Sequence, residues 1–239
     1  MDGLLILAIE TATGCGSVSL SREGLEGFHL LAECTTQPDI THSRRLLGSV
    51  EWLMQGAGVT WNDLDGVAVS TGPGSFTGLR IGMAAAKAIS MATASSLIGI
   101  PTLDALACSA GARKRLLCCL LDARKQQVYA AFYRTAANGL PVRLRDPSAV
   151  SPQNLLQGIE EPVLLVGPGA RVYRDCIDDC QQTEILQDYL GLPRAMYIGL
   201  LAAEKLKKGD VLDPLTAAPM YVRAPEAEVN LKRKQLLQT

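Results

Sequence analysis

The segment Thr71 to Arg80 reads TGPGSFTGLR. Glycine-rich loops that open helices are where backbone amides and the helix dipole hold phosphate. Gly72, Gly74 and Gly78 give G-x-G-x-x-x-G, one residue longer than the dinucleotide fingerprint, and Leu79 stands where a Walker A loop puts Lys. No acidic ribose partner follows at the usual distance, because Ile98-Gly99-Ile100-Pro101 occupies that region. Ser75 has Pro73 and Thr77 two positions either side, so it does not sit in a G-x-S-x-G elbow, and a helix N-cap is the role that suits it. Gly78, Gly82 and Ala86 fall on one face of the helix that should follow. Glycine costs a helix interior about 1 kcal/mol relative to alanine, so the pair marks a close approach, either by the sheet of the same lobe or by a helix of another chain.

Glu10 closes the first apolar run, where phosphotransferases built from two such lobes hold an acidic residue near metal-bound phosphate. Asp122 is its counterpart in the second half, but Ala123-Arg124-Lys125-Gln126-Gln127 follow it, with neither the Gly nor the Ser/Thr that a phosphate loop uses. Glu10, Thr11, Gly72, Gly74 and Asp122 therefore read as a vestigial nucleotide loop. The chain has two histidines, His29 and His42, separated by a loop and a strand, so no paired-histidine metal site can be assembled. His42, beside Thr41 at a helix start, suits a cap or surface role. Cys176 and Cys180 share a helix face without a Cys-x-x-Cys pair or a nearby His. No catalytic residue, no metal and no cofactor is expected, and a peptidase would lack both nucleophile and metal.

These residues must be positioned by a chain of 239 residues, 48% of them hydrophobic, enough for one large domain or two smaller ones stabilised by burial alone. A formal net charge of -1 disfavours unaided nucleic-acid binding, and Lys232-Arg233-Lys234 near the end reads as a solvated tail. No apolar run reaches membrane-span length, the start Met1-Asp2-Gly3 shows no leader, and seven cysteines without a framework read as reduced thiols. The expected location is the cytoplasm.

Leu4 to Ile9, Gly16 to Leu20 and Gly27 to Cys34 read as an antiparallel meander. Leu46, Leu47, Val50, Leu53, Met54 and Ala57 recur at helical spacing from Thr41 to Gly56. Leu64 to Ser70 is a strand, Ser75 to Ala94 a long helix, and Leu97 to Ile100 a strand. The order βββαβαβ is that of the ribonuclease-H-like lobe of actin, sugar kinases and heat-shock ATPases. After a helix at Leu103 to Arg113, strand, turn and strand recur at Leu116 to Leu121 and Gln127 to Tyr133, followed by Pro141 to Arg145 and by Val163 to Val166 with Gly167-Pro168-Gly169. Helices are expected around Val172 to Cys180 and Ile198 to Lys208. The expected fold is α/β, a two-lobed actin-like (ASKHA) architecture. Residues 1–103 carry a mixed five-stranded sheet, and residues 104–239 form a reduced second lobe whose last helix can pack back on the first.

Ile6-Leu7-Ala8-Ile9-Glu10-Thr11-Ala12-Thr13, His42-Ser43, Gly72-Pro73-Gly74-Ser75-Phe76-Thr77-Gly78-Leu79-Arg80-Ile81-Gly82, Gly99-Ile100-Pro101-Thr102-Leu103, Leu121-Asp122-Ala123-Arg124 with Val128-Tyr129, and Pro219-Met220-Tyr221-Val222-Arg223 resemble the TsaB (YeaZ) family along nearly the whole chain. The resemblance implies a non-catalytic subunit of the machinery that installs threonylcarbamoyl on the adenosine next to the tRNA anticodon. It implies pairing with TsaD, which carries the metal-bound active site, engagement of the ATPase TsaE through that complex, and only indirect contact with tRNA. A glycoprotease label attaches to TsaD, whose paired metal histidines have no match here. The family pairs through first-lobe helices, which map onto Leu46, Leu47, Val50, Leu53 and Met54 and onto Phe76, Leu79, Arg80, Gly82, Met83 and Lys87. The same surface is expected to form a homodimer when TsaD is absent. Glu10 departs from the family's usual Asp. The alternative is a small-molecule kinase or ATPase of the same superfamily.

Overall fold

The computed structural model describes residues 3–36, 42–156, 160–177, 183–187 and 189–223. Strand β1 (Leu4–Glu10) is apolar on both faces because it is the central strand of its sheet. β2 (Gly16–Gly24) pairs with it antiparallel, and β3 (Gly27–Thr36) completes the meander. α1 (His42–Ala57) crosses over to β4 (Gly66–Gly72), which lies parallel to β1 with Ala8 opposite Ala68. α2 (Phe76–Thr93) returns the chain to β5 (Ser96–Pro101), giving the order β3-β2-β1-β4-β5.

α3 (Thr102–Cys108) leads into the second sheet. That sheet holds β6 (Leu116–Asp122), β7 (Val128–Thr135), β8 (Pro141–Arg143) and β9 (Ser148–Val150). α4 (Pro152–Leu156), β10 (Val163–Val166), α5 (Pro168–Val172), α6 (Arg174–Ile177) and β11 (Thr183–Ile185) follow, and α7 (Ala195–Lys207) comes last. The order is β11-β10-β6-β7-β8, with β9 also on β7. The reduction of this lobe lies in its helices: α4, α5 and α6 have five, five and four residues against eighteen in α2. Among the described residues no helix is long and apolar enough to cross a membrane.

Three features differ from the sequence reading. α3 stops at Cys108, short of the expected Arg113, because the Ser109 hydroxyl bonds back to the Leu106 carbonyl at 2.7 Å and Gly111 turns the chain at φ 66°. The helix expected from Val172 is broken at Tyr173 into α5 and α6, and its last residues, with Cys180, lie outside the described segments. α4, β9 and β11 are too short to leave a periodic signal.

One face of the first sheet is covered by α1 and α2, which bury Val50, Leu53 and Met83 against Leu5, Leu7, Ile9, Val67 and Val69. The opposite face receives α7, whose Ile198 and Ala202 pack on Ile6, Ala8 and Ile98. The start of α7 is held by β2 and β3, since Ala195 N donates to Ser17 Oγ at 2.9 Å and Met196 N to Glu33 Oε1 at 3.0 Å. Arg194 adds an ion pair to the same carboxylate. These contacts satisfy amides that an α-helix leaves open at its first turn. α3 is tied to the second sheet through Asp104, which accepts from Tyr133 Oη at 2.8 Å and from Arg143 Nη2 at 2.7 Å.

Candidate functional site

The glycine-rich segment is a packing joint. Ser75 caps α2, its hydroxyl accepting from Gly78 N at 3.2 Å, while its own amide donates to Ala12 O at 2.6 Å. Thr11 Oγ1 donates to Gly78 O at 2.8 Å. A Cβ added at Gly74, Gly78 or Gly82 would come closer than 3.0 Å to Ala12 or Thr11, a separation that real Cβ atoms essentially never show. The close approach left open by the sequence is therefore made by the β1–β2 turn of the same chain. A Cβ at Gly72 (φ 118°) would likewise strike the Met220 carbonyl. Gly82 is accordingly corrected from a partner contact to an internal one.

Between the lobes lies a cleft of about 500 Å³. Its walls are Ala12, Thr13, Gly14 and the Gly74–Thr77 segment on one side, and Leu121, Asp122, Ala123, Arg124, Tyr129 and Pro168 on the other. Of the residues read as a vestigial nucleotide loop, Gly74 and Asp122 line it, whereas Glu10, Thr11 and Gly72 lie packed away from it. Glu10 is fully buried, with Oε1 accepting from Ala12 N at 2.6 Å and Oε2 unpaired among the described residues. Burial pushes its carboxyl up to about 7, against the pull of the Ala12 amide. Asp122 is occupied locally: Oδ1 accepts from Arg124 N at 2.8 Å and Tyr173 Oη at 3.2 Å, and the Arg124 guanidinium lies 3.6 Å from Oδ2. Arg124, Lys125 and Gln126 are three successive left-handed residues, with φ of 62°, 53° and 57°.

No group of three or more His, Cys, Asp or Glu among the described residues could hold a metal ion. His29 is exposed on β3, and the side chain of His42 lies outside the described set. Cys118 and Cys119 are core residues, and burial pushes both thiols well above their ordinary range, which keeps them unreactive.

The helix pair divides differently from its sequence reading. Leu46, Val50, Leu53, Met54 and Met83 belong to the first-lobe core, and Leu79 is buried beside Gly72. These six are corrected from partner contacts to core, because their periodicity records burial against their own sheet. Leu47 is 57% exposed, Phe76 39%, and Arg80 lies outward. Lys87 is half-buried, its Nζ donating to Ala217 O at 3.0 Å. The exposed halves also carry residues the sequence reading passed over: Trp52 at 66% exposure, Met91 at 57%, and Ala84 and Ala88 on the outer face of α2. Trp52, a large apolar side chain among Glu51, Gln55 and Gly56, was the signal that could have found this face.

A mixed sheet of meander plus two parallel crossovers, repeated in simpler form across a cleft, places the chain among the two-lobed actin-like α/β proteins. The sequence profile of the family described as "TsaD: tRNA N6-adenosine threonylcarbamoyltransferase" matches residues 36–231, and the chain belongs to this family. Within it the chain falls in the TsaB (YeaZ) group. It is 29% identical to the tRNA threonylcarbamoyladenosine biosynthesis protein TsaB of Bacillus subtilis (strain 168), over 94% of this chain and 96% of that one. It is also 29% identical to the protein of the same name from Escherichia coli (strain K12), over 96% and 99%. The solved structure of YeaZ from Pseudomonas aeruginosa superposes with a TM-score of 0.77 at 25% identity, covering 91% of this chain and 99% of that one.

Proposed function

We propose that this chain is a non-catalytic subunit in the formation of threonylcarbamoyladenosine on tRNA, docking TsaD through the exposed halves of α1 and α2. The observation that carries the proposal is the outward apolar set Leu47, Trp52, Phe76, Ala84, Ala88 and Met91, on helices whose inner faces are already spent on their own sheet. Small residues at Ala84 and Ala88 let a second helix approach closely, and an exposed Trp is the residue type that most often dominates binding energy at protein interfaces. TsaE joins through the resulting complex, two copies pair through the same face when TsaD is absent, and the protein works in the cytoplasm. The tRNA is met through the partners, consistent with a net charge of -1.

The test is reconstitution of tRNA modification from purified components with and without this chain. Modification is expected to require it, and full activity in its absence would discard the reading. A kinase or ATPase is the second reading, favoured by the cleft with the start of α2 on one wall. Calorimetry with ATP and magnesium separates the two: no heat of binding is expected from the chain alone, and micromolar affinity would favour the rival.

A further inference from the structure

The segment from Leu212 to Arg223 follows α7 and touches, in order, the edge of the first sheet, the length of α2, and the second lobe. Leu212 N donates to Leu97 O at 2.8 Å, extending β5 by one bridge. Asp213 then folds the chain into a turn, accepting from Leu215 N at 2.9 Å and Thr216 Oγ1 at 3.0 Å. Lys87 of α2 holds the Ala217 carbonyl, and Met220 N donates to Thr71 O at 2.7 Å, at the end of β4. Tyr221 closes over the first turns of α2. Its ring lies 5.2 Å from that of Phe76, its hydroxyl accepts from Arg80 Nε at 3.1 Å, and the Arg80 guanidinium stacks 3.9 Å above the Phe76 ring. Arg223 finally crosses to the other lobe, where Nη1 donates to Gln127 Oε1 at 3.3 Å.

Gln127 closes the left-handed turn whose first residues, Ala123 and Arg124, form part of one wall of the cleft, and Phe76 forms part of the other. We infer that this segment is a latch across the mouth of the cleft, released when a partner protein occupies the first two turns of α2. The mechanism is competition for the same side chains. Phe76 and Arg80 lie on the outer face of α2, where the docking proposed above takes place, and they are also the groups that seat Tyr221. A partner that packs on the Phe76 ring or pairs with Arg80 withdraws both of Tyr221's contacts. The Arg223 bond to Gln127 then hangs from Met220, the nearest remaining anchor among the described residues, with Ala217 and Leu212 holding the segment further back. Docking on one lobe thereby loosens a turn on the other. The trigger rests on the docking reading, whereas the latch is a property of the chain alone.

Hydrogen exchange on the full-length protein tests both parts. The reporters are the paired amides of Ala123 and Gln127 in the turn and of Met220 in the latch. Tyr221→Ala and Arg223→Ala are each expected to speed exchange of Ala123 and Gln127 about fivefold, the factor that one net hydrogen bond is worth. The β1 amides should keep their protection. Addition of TsaD to the wild-type chain is expected to produce the same change at the turn. Wild-type exchange at the turn in both variants would overturn the latch. Bound TsaD that leaves the turn unchanged would overturn the trigger. Loosening in the variants together with failure of TsaD to bind would leave the latch standing and remove the docking reading.

Discussion

Both lobes pass from a parallel strand into a helix through Gly-Pro-Gly, at Gly72-Pro73-Gly74 after β4 and at Gly167-Pro168-Gly169 after β10. In each case the last glycine presses on the first strand or first turn of its own lobe, Gly74 on Ala12 and Gly169 on Leu120. The two joints differ in the helix each one launches. In the first lobe it is an eighteen-residue helix with two further glycines seated on Thr11, and the neighbouring turn lines the cleft while Glu10 stays buried behind it. In the second lobe it is a helix of five residues, and the corresponding turn, left-handed, lines the cleft together with its own acid, Asp122. The same local chemistry has thus been used once to keep a potential catalytic acid, Glu10, buried behind the cleft wall, and once to leave one, Asp122, on that wall. A glycine-rich loop in this fold marks where the helix meets the strand. It does not by itself mark a phosphate.

Breaking the first joint should have the largest effect. Gly78→Val drives a branched side chain into the Thr11 carbonyl, and Leu53→Glu buries an unpaired carboxylate in a site only 1% exposed. Each is expected to cost on the order of 4 kcal/mol, a large part of a domain's total stability, and to show as insoluble expression or a lost thermal transition. An equivalent Gly169→Val should also destabilise, but with its damage confined to the second lobe, which hydrogen exchange resolves.

The sealed acid gives the next effect. A carboxyl whose folded pKa is raised from 4.5 to about 7 contributes stability that is fully present below 4.5 and lost as pH rises through about 7. At about 1.36 kcal/mol per pKa unit, the loss is roughly 3 kcal/mol between those limits. Glu10→Gln, which stays neutral and keeps an acceptor for Ala12 N, should flatten the dependence and exceed wild type in denaturant midpoint at pH 8 while matching it at pH 4.5. A variant with an unchanged pH profile would show that Glu10 is solvated. The smallest effect is a gain: Gly48, on the exposed half of α1, has nothing within 4 Å of an added Cβ, so Gly48→Ala should stabilise the chain by about 0.5–1 kcal/mol. The contrast with Gly78 separates a glycine needed for contact from one that is not.

Much of the first lobe was legible because its elements are long and periodic. The meander, α1 and α2 follow from alternation and from three- and four-residue spacing, and Ser75 could be read as a cap from its place between Pro73 and the apolar run. The second lobe was legible in β6, β7, β8, β10 and α7, whereas the three-residue strands β9 and β11 carry no period. The site was read less well, for a physical reason. The periodicity of Leu46, Val50, Leu53 and Met54 reports burial without saying against what, and here it is the chain's own sheet. Of the residues proposed for docking, Ala84 and Ala88 break no pattern, whereas Trp52 stands out among polar neighbours, and the contact of Tyr221 with Arg80 joins residues 141 positions apart.

If this chain acts through the outer face of its helix pair, and not through its cleft, the two surfaces must respond differently to substitution. The affinity of TsaD for two folded variants decides between them: Ala84→Arg on the outer face of α2, and Arg124→Ala on the cleft wall. Ala84→Arg is expected to weaken TsaD binding by at least a hundredfold at an unchanged melting temperature, with Arg124→Ala indistinguishable from wild type. Full affinity in Ala84→Arg together with a loss in Arg124→Ala would move the working surface to the cleft and refute docking through the helices.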